Sequence, residues 1–467
     1  MSIEKESFIE DILKELEAEN VAVFAGAGLS IPAGYVGWSK LLEPIAKDLR
    51  IDINKEKDLV SLAQYYVNEN QSRAKLNKKL IEEFFQDLDL TDNHHILARL
   101  PISTYWTTNY DKLIERSLGE VDKKVDVKYT LDHLSRTIPK RNAIVYKMHG
   151  DIEHPNSAIL TKDDYESYHI KMDQYLSTLK GDLLTKTFIF IGFSFTDPNL
   201  DYILSRVRNS GVSQREHYCF LRKINEDDYE KNDEGKADYE YEKRKQELFI
   251  GDLKRFSIRT ILVDKYNEIT DVLAEVERRY KRKNIFISGA AHEYEPWGRE
   301  KSEVFVHELS KKLIQNDYRI VSGYGLGVGS AVISGALEAI YLNSLKHSKD
   351  ELILRPFPQD EQGKKLWKPY REDMISYAGI AIFIFGNKID DKGEIVLSNG
   401  MKEELEISKA NNLLLVPVGA TGYISEEFWN DLKKEYGEDI LYANLGDKEK
   451  EPSDLIDSIL KFLEKYK

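Results

Sequence analysis

The stretch Val21–Ser30, VAVFAGAGLS, constrains the fold most: a short apolar run stops in a glycine turn and leads straight into Ile31 and Pro32. A continuous apolar run of this length fits a strand covered on both faces, as in a parallel sheet. Gly26 and Gly28 let the backbone turn sharply and come close to a ligand. A helix starting directly after such a turn aims N–H groups and the positive end of its dipole at one point, which suits a pyrophosphate. A tight strand-to-helix turn with no ligand uses the same residues, so this run alone leaves both readings open.

A chain of 467 residues is too long for one ordinary core, and two or three domains are expected. The formal net charge of −14 argues against a general nucleic-acid binder, because counterion release needs a concentrated basic surface. A free anionic nucleotide needs only a local basic pocket. The single cysteine, Cys219 in HYCFLR, rules out an intramolecular disulfide or a multi-cysteine zinc site and reads as a small buried side chain. The first residues, MSIEKESFIEDILKELEAEN, form an acidic amphipathic helix pattern rather than a secretory signal. No apolar run approaches the roughly 20 residues that span a bilayer. The expectation is a soluble cytoplasmic protein with neither nucleic acid nor membrane as partner.

Trp38–Leu49 and Leu59–Leu88 carry apolar residues at helical spacing among many charges, which predicts surface helices with LVSLAQYYV turned inward. The strand-like ISTYWTTNYD then delivers Asn109 and Asp111 to a strand end, where open α/β sheets bind ligands. Either residue also suits a helix cap. AIVYKMHGD repeats the arrangement and ends on His149, Gly150 and Asp151. Position sets His149 apart from His94, His95 and His154, since a titratable ring beside a glycine at a strand end can face a crevice. TFIFIGFSFTDPNL supplies another apolar strand and a turn with Gly192, Ser194 and Asp197-Pro198, while HYCFLR and SIRTILVD read as the last strands of this half.

In order and rough spacing, GAGLS, TTNYD, HGD and the GFSFTD turn resemble the SIR2 (sirtuin-like) NAD-binding fold, over about Phe8 to Val263. The resemblance implies that NAD⁺ binds here as substrate, with Ala25, Gly26 and Ala27 cradling its phosphates and Ser30 beside them. Asn109, Asp111 and His149 would surround the nicotinamide riboside, and the Gly192–Ser194 turn would complete the site. Protein-deacylating sirtuins commonly carry a four-cysteine zinc ribbon, which one cysteine cannot build, so no metal is expected. What remains is cleavage of the nicotinamide–ribose bond with water as acceptor. Asn109 is then expected to order the water or the ribose, His149 to bond a ribose hydroxyl and act as base, and Asp111 to hold the loop.

RRYKRKN closes a long helix near Asn284 and marks the expected junction between domains 1–283 and 284–467. NIFISGAA begins a second sheet and ends on Ser288 and Gly289. YRIVSGYGLGVGSAVISGALEAIYLN follows as strand, glycine run (Gly323, Gly325, Gly327, Gly329) and helix, a βαβ pattern with phosphate-type turns or with tight strand–helix packing. ELILRPFP, AGIAIFIFGN and NLLLVPVG are the later strands. Arg355, Arg371 and Lys388 near element ends can meet phosphates, and Glu403 can accept ribose hydroxyls; taken singly, each reads first as a surface ion pair.

This half resembles the SLOG family, Rossmann-like domains related to LOG phosphoribohydrolases and to nucleotide sensors. LOG enzymes place a glutamate shortly after the glycine run, where Ser330, Ala331, Val332 and Ile333 stand here, so a sensor is expected rather than a second enzyme. The pairing resembles the SIR2–SLOG effectors of the Thoeris antiphage defence system. It implies a homo-oligomer, a tetramer, and a cyclic ADP-ribose isomer made by a partner TIR-domain enzyme as activator. The activator's expected contacts are Ser288, Gly289, Gly323, Gly325, Gly327, Arg355, Arg371, Lys388 and Glu403. The fold expected is α/β with two Rossmann-like parallel sheets. A zinc-free NAD-dependent deacylase and a non-catalytic nucleotide-responsive scaffold are the alternatives, with a LOG-like phosphoribohydrolase behind them.

Overall fold

The computed structural model describes residues 2–195, 197–209, 215–358 and 360–466. The chain divides into two compact units, Met1–Glu277 and Arg278–Lys467, and the division falls inside the helix Asn267–Lys281, six residues before the expected junction.

The first unit is built on seven parallel strands: β1 (Val21–Ala25), β2 (Thr104–Thr107), β3 (Val125–Lys128), β4 (Ala143–Lys147), β5 (Thr187–Ile191), β6 (His217–Arg222) and β7 (Ile258–Val263). Their order is β3-β4-β2-β1-β5-β6-β7. β1 is buried along its whole length, as an interior strand of a sheet covered on both faces must be. Trp106 of β2 anchors one layer of the core, stacked on Tyr146 with ring centroids 4.1 Å apart, its indole N–H donating to Asp182 at 2.8 Å.

The strand order reverses between β1 and β5, and ligands of open α/β sheets bind at the carboxyl ends of such a pair. Register sharpens the point. Ala25 pairs with both Thr107 and Ile191, and Thr107 pairs with Lys147. The chain therefore leaves β1, β2, β4 and β5 at one level, and Gly26, Thr108, Met148 and Gly192 start their turns side by side.

Three local features depart from expectation. The stretch Leu59–Leu88 is two helices, Leu59–Asn70 and Ala74–Phe84, separated at Gln71, whose φ of +49° takes it out of helical geometry. The helix after the glycine turn has only four residues, Ala27–Ser30, before a single 3-10 turn, so its dipole is that of one turn. β3 was not apparent from hydropathy because its buried positions, Asp126 and Lys128, are charged and pair with each other at 2.9 Å.

The second unit has five parallel strands, β8 (Asn284–Ala290), β9 (Arg319–Ser322), β10 (Leu352–Leu354), β11 (Ile380–Phe385) and β14 (Leu414–Pro417), in the order β10-β9-β8-β11-β14. A small antiparallel hairpin, β12 (Asn387–Ile389) with β13 (Ile395–Leu397), follows β11. Here the order reverses between β8 and β11, the same device as in the first unit.

Candidate active site

The glycines of the first turn are spent on close packing of two turns. Gly26 donates to the Ile191 carbonyl at 3.0 Å and Gly28 to the Gly192 carbonyl at 2.9 Å. A Cβ on Gly26 would stand 2.4 Å from the Gly192 oxygen, and one on Gly192, whose φ is +63°, would stand 2.2 Å from the Leu29 nitrogen. Only glycine fits at these points. Ala25 is fully buried, and its carbonyl accepts from the Thr107 hydroxyl at 3.0 Å, so this side chain belongs to the core and not to the cavity wall.

In front of these turns lies a cleft of about 810 Å³, lined by Gly26, Ala27, Trp38, His149, Tyr165, Gly192, Ser194 and Asp197 among others. A second cavity of about 750 Å³ shares Gly28, Ile31, Gly192, Phe193 and Ser194 with it and continues over Phe220, Leu221, Phe249 and Tyr266. The two lobes meet over the glycine turns.

His149 is buried in the cleft wall, with Nε2 2.9 Å from Asp197 Oδ2 and 3.5 Å from the Tyr165 hydroxyl. Its Nδ1 is buried with no hydrogen-bond partner. Burial alone would raise the Asp197 carboxyl, but the His149 ring and the amides of Leu200 and Asn199 outweigh it and hold it below the usual carboxylate range. Sequence reasoning saw Asp197 only as part of a turn. An Asp-Pro pair opening a helix, Pro198–Asn209, was the available signal, and it indicated a cap without indicating the histidine.

Asn109 is buried beside the first turn, where its amide donates to the Gly26 carbonyl and to the Ser30 hydroxyl, both at 3.0 Å. Both side-chain hydrogens are thereby committed to the protein. Asp111 accepts from the Leu113 amide at 3.0 Å through one oxygen, and its other oxygen is buried without a hydrogen-bond partner. A small cavity is lined by Ala27, Ser30, Asn109 and Asp111. Behind these loops Lys147, missed in the sequence, is fully buried and bonds Asp151 at 2.6 Å and the carbonyls of Asp111 and Tyr110 at 2.6 and 3.1 Å.

In the second unit, Ser288, two residues before the end of β8, donates to Glu404 at 2.6 Å, and Arg371 reaches Glu404 at 3.4 Å and Glu403 at 2.6 Å. Burial pushes the Glu404 carboxyl above its usual range, against the pull of Ser288 and Arg371. The Arg371 guanidinium lies 5.1 Å from the centroid of the Phe357 ring. Ser288, Arg371 and Glu403 thus come together through Glu404, which sequence reasoning passed over. Arg355 is engaged elsewhere, 3.7 Å from Asp373 and over the Tyr377 ring, and Lys388 sits on the hairpin strand β12 opposite Val396. The glycines here serve packing: a Cβ on Gly325 would stand 1.9 Å from the Gly289 carbonyl oxygen, one on Gly327 1.9 Å from that of Ala291, and one on Gly323 2.6 Å from Phe357. Gly289 faces Ile384 at 2.8 Å in the same sense. Among the described residues no group of three or more His, Cys, Asp or Glu side chains is placed to hold a metal, and no helix is long and apolar enough to cross a membrane.

Residues 103–246 match the SIR2-like domain family, and residues 268–466 match STALD, the Sir2- and TIR-associating SLOG family. The chain is 54% identical to the NAD(+) hydrolase ThsA of Bacillus cereus (strain MSX-D12) over 98% of both chains. It is 48% identical to the NAD(+) hydrolase ThsA of Acinetobacter baumannii (strain 532279), over 96% of this chain and 94% of that one. Defense-associated sirtuin 2 of Bacillus subtilis is 26% identical over 43% of this chain and 20% of its own length. With a SIR2-type sheet, a SLOG-type sheet and near full-length identity of this order, the chain belongs to the ThsA family of NAD(+) hydrolases.

Proposed function

We propose that the first unit hydrolyses the nicotinamide–ribose bond of NAD⁺ and that a cyclic ADP-ribose isomer held by the second unit switches this activity on. His149 carries the catalytic reading: a buried imidazole in the wall of the cleft, paired on one nitrogen and unpartnered on the other, in a chain 54% identical to a named NAD(+) hydrolase. The dinucleotide lies across the two lobes, with its pyrophosphate over the turns at Gly26–Gly28 and Gly192–Ser194 and its nicotinamide riboside beside His149.

The chemistry asks little of the protein. The nicotinamide nitrogen is cationic in NAD⁺ and departs with the bonding pair as a neutral pyridine, so no acid has to protonate it. The carboxylate pair of ordinary glycosidases is therefore unnecessary. Water adds to C1′ of the ribose and gives its proton to a base. Asn109 and Asp111, fixed on the β2 turn beside Ser30, shape the wall against which the ribose is held.

The second unit reads the messenger through Arg371. In the free protein Glu403 and Glu404 neutralise this guanidinium; a phosphate that replaces Glu403 leaves that carboxylate to accept ribose hydroxyls. The match to a TIR-associating SLOG family supports a TIR-domain enzyme as the source of the messenger. Activation in a homotetramer requires that the messenger bind the active arrangement more tightly than the resting one.

The test is nicotinamide release from NAD⁺ by the full chain, with and without a panel of cyclic ADP-ribose isomers, for wild type, Asn109→Ala and Arg371→Ala. Release stimulated by one isomer is expected, with a loss of about 10²-fold or more in Asn109→Ala and no response to the isomer in Arg371→Ala. No release under any condition removes the hydrolase. Release indifferent to every isomer removes the messenger.

A further inference from the structure

We infer that Asp197 is the positioning residue of the reaction: it fixes the tautomer of His149 so that Nδ1 is the nitrogen that takes the proton. The inference rests on the hydrolase reading above and adds to it which nitrogen reacts and what holds it.

The geometry leaves few choices. One oxygen of Asp197 accepts from the Asn199 and Leu200 amides at 2.9 and 3.1 Å, so the first turn of the helix Pro198–Asn209 sets the direction of the carboxylate. The other oxygen stands 2.9 Å from His149 Nε2. An ionised carboxylate only accepts hydrogen bonds, so the neutral ring carries its hydrogen on Nε2 and its lone pair on Nδ1. That lone pair has no protein partner although the atom is buried. A buried polar atom left without a partner in a cavity wall is where a ligand hydroxyl or water completes the hydrogen bonding.

The step balances simply. The C1′–nitrogen bond breaks with its electron pair going to nicotinamide, and the water oxygen bonds C1′. The proton from that water, or from the ribose hydroxyl that relays it, ends on Nδ1. Asp197 stays ionised and stabilises the imidazolium so formed. Asp197 touches no reacting atom and acts only through the ring.

Asp197→Asn separates this role from the helix cap. The amide keeps an oxygen for the two backbone N–H groups but presents an NH₂ to Nε2, which forces the ring hydrogen onto Nδ1 and removes the base. Nicotinamide release is measured with the isomer panel present. The expected result is a fall in kcat of about 10²- to 10⁴-fold, with KM for NAD⁺ and the thermal transition unchanged. In a His149→Ala background the same substitution is expected to cost nothing more.

Full kcat in Asp197→Asn, a loss confined to KM, or an equal further loss in the His149→Ala background overturns the inference while leaving the hydrolase standing. A wild type that releases no nicotinamide overturns both.

Discussion

Replacing Lys147 with Met should loosen the first unit by about 3–5 kcal/mol, the cost of breaking a buried ion pair from one side. The lysine ends β4 and is fully buried. Its ammonium meets Asp151 at 2.6 Å, Glu115 at 3.1 Å, and the carbonyls of Asp111 and Tyr110. Methionine fills the space of the stem but supplies no donor. Two carboxylates and two carbonyls are then left in an interior with no cation, and this residue of unpaired charge accounts for most of the loss. Adding Asp151→Asn and Glu115→Gln should accordingly recover part of it.

The pH dependence follows from the same groups. Burial already raises the Glu115 carboxyl in spite of Lys147, and without the lysine it is pushed higher. The folded state then binds protons that the unfolded chain has released, so stability falls as pH rises through the folded pKa. The penalty of Lys147→Met is therefore largest at neutral pH and shrinks towards pH 5. Hydrogen exchange of β2 and β4 amides reads the effect locally: 3–5 kcal/mol is about two to three and a half orders of magnitude in the opening equilibrium. Protection reduced by less than tenfold at pH 7 would refute the claim that Lys147 is what binds the loop of Asn109 to the loop of His149.

Gly192→Ala should abolish nicotinamide release and lower the first unit's stability by about 2 kcal/mol or more, because φ is +63° and the new methyl meets the Leu29 nitrogen at 2.2 Å; a variant with wild-type melting and turnover contradicts the packing account of this turn. Cys219 should resist maleimide in the folded chain and react on unfolding, since burial pushes its thiol up to about 12; rapid labelling of native protein, followed by mass, would contradict it.

The sheets were legible in the sequence because their strands are covered on both faces and so read as unbroken apolar runs, VAVFA and IAIFIF above all. β3 was not, because Asp126 and Lys128 cancel each other's charge at buried positions, a pairing that no hydropathy pattern displays. The choice of Glu403 over Glu404 shows a signal present but unused. In NGMKEELEISKAN the buried positions are Met401, Glu404, Leu405 and Ser408, so helical phase alone turns Glu404 inward and leaves Glu403 at the surface. Which strand ends lie level is a matter of register between distant segments, and the pairing of Ala25 with Thr107 and Ile191, together with that of Thr107 with Lys147, brings Asn109, His149 and Gly192 to one edge.

The glycines carry the more general lesson. A turn that lets a phosphate approach and a turn that lets a neighbouring backbone approach need the same missing Cβ. At Gly26, Gly192, Gly325 and Gly327 that space already holds backbone atoms or stands directly against them. Glycine spacing therefore locates a strand end without deciding what the end is for. The decision rests on polar atoms that the fold leaves unsatisfied beside such turns: the oxygen of Asp111 that caps nothing and Nδ1 of His149 are both buried without a hydrogen-bond partner, on residues that line cavities. Folding has already met the cost of burying them, and a substrate that completes their hydrogen bonds recovers part of it, which is why a site is sought at these atoms rather than at the glycines.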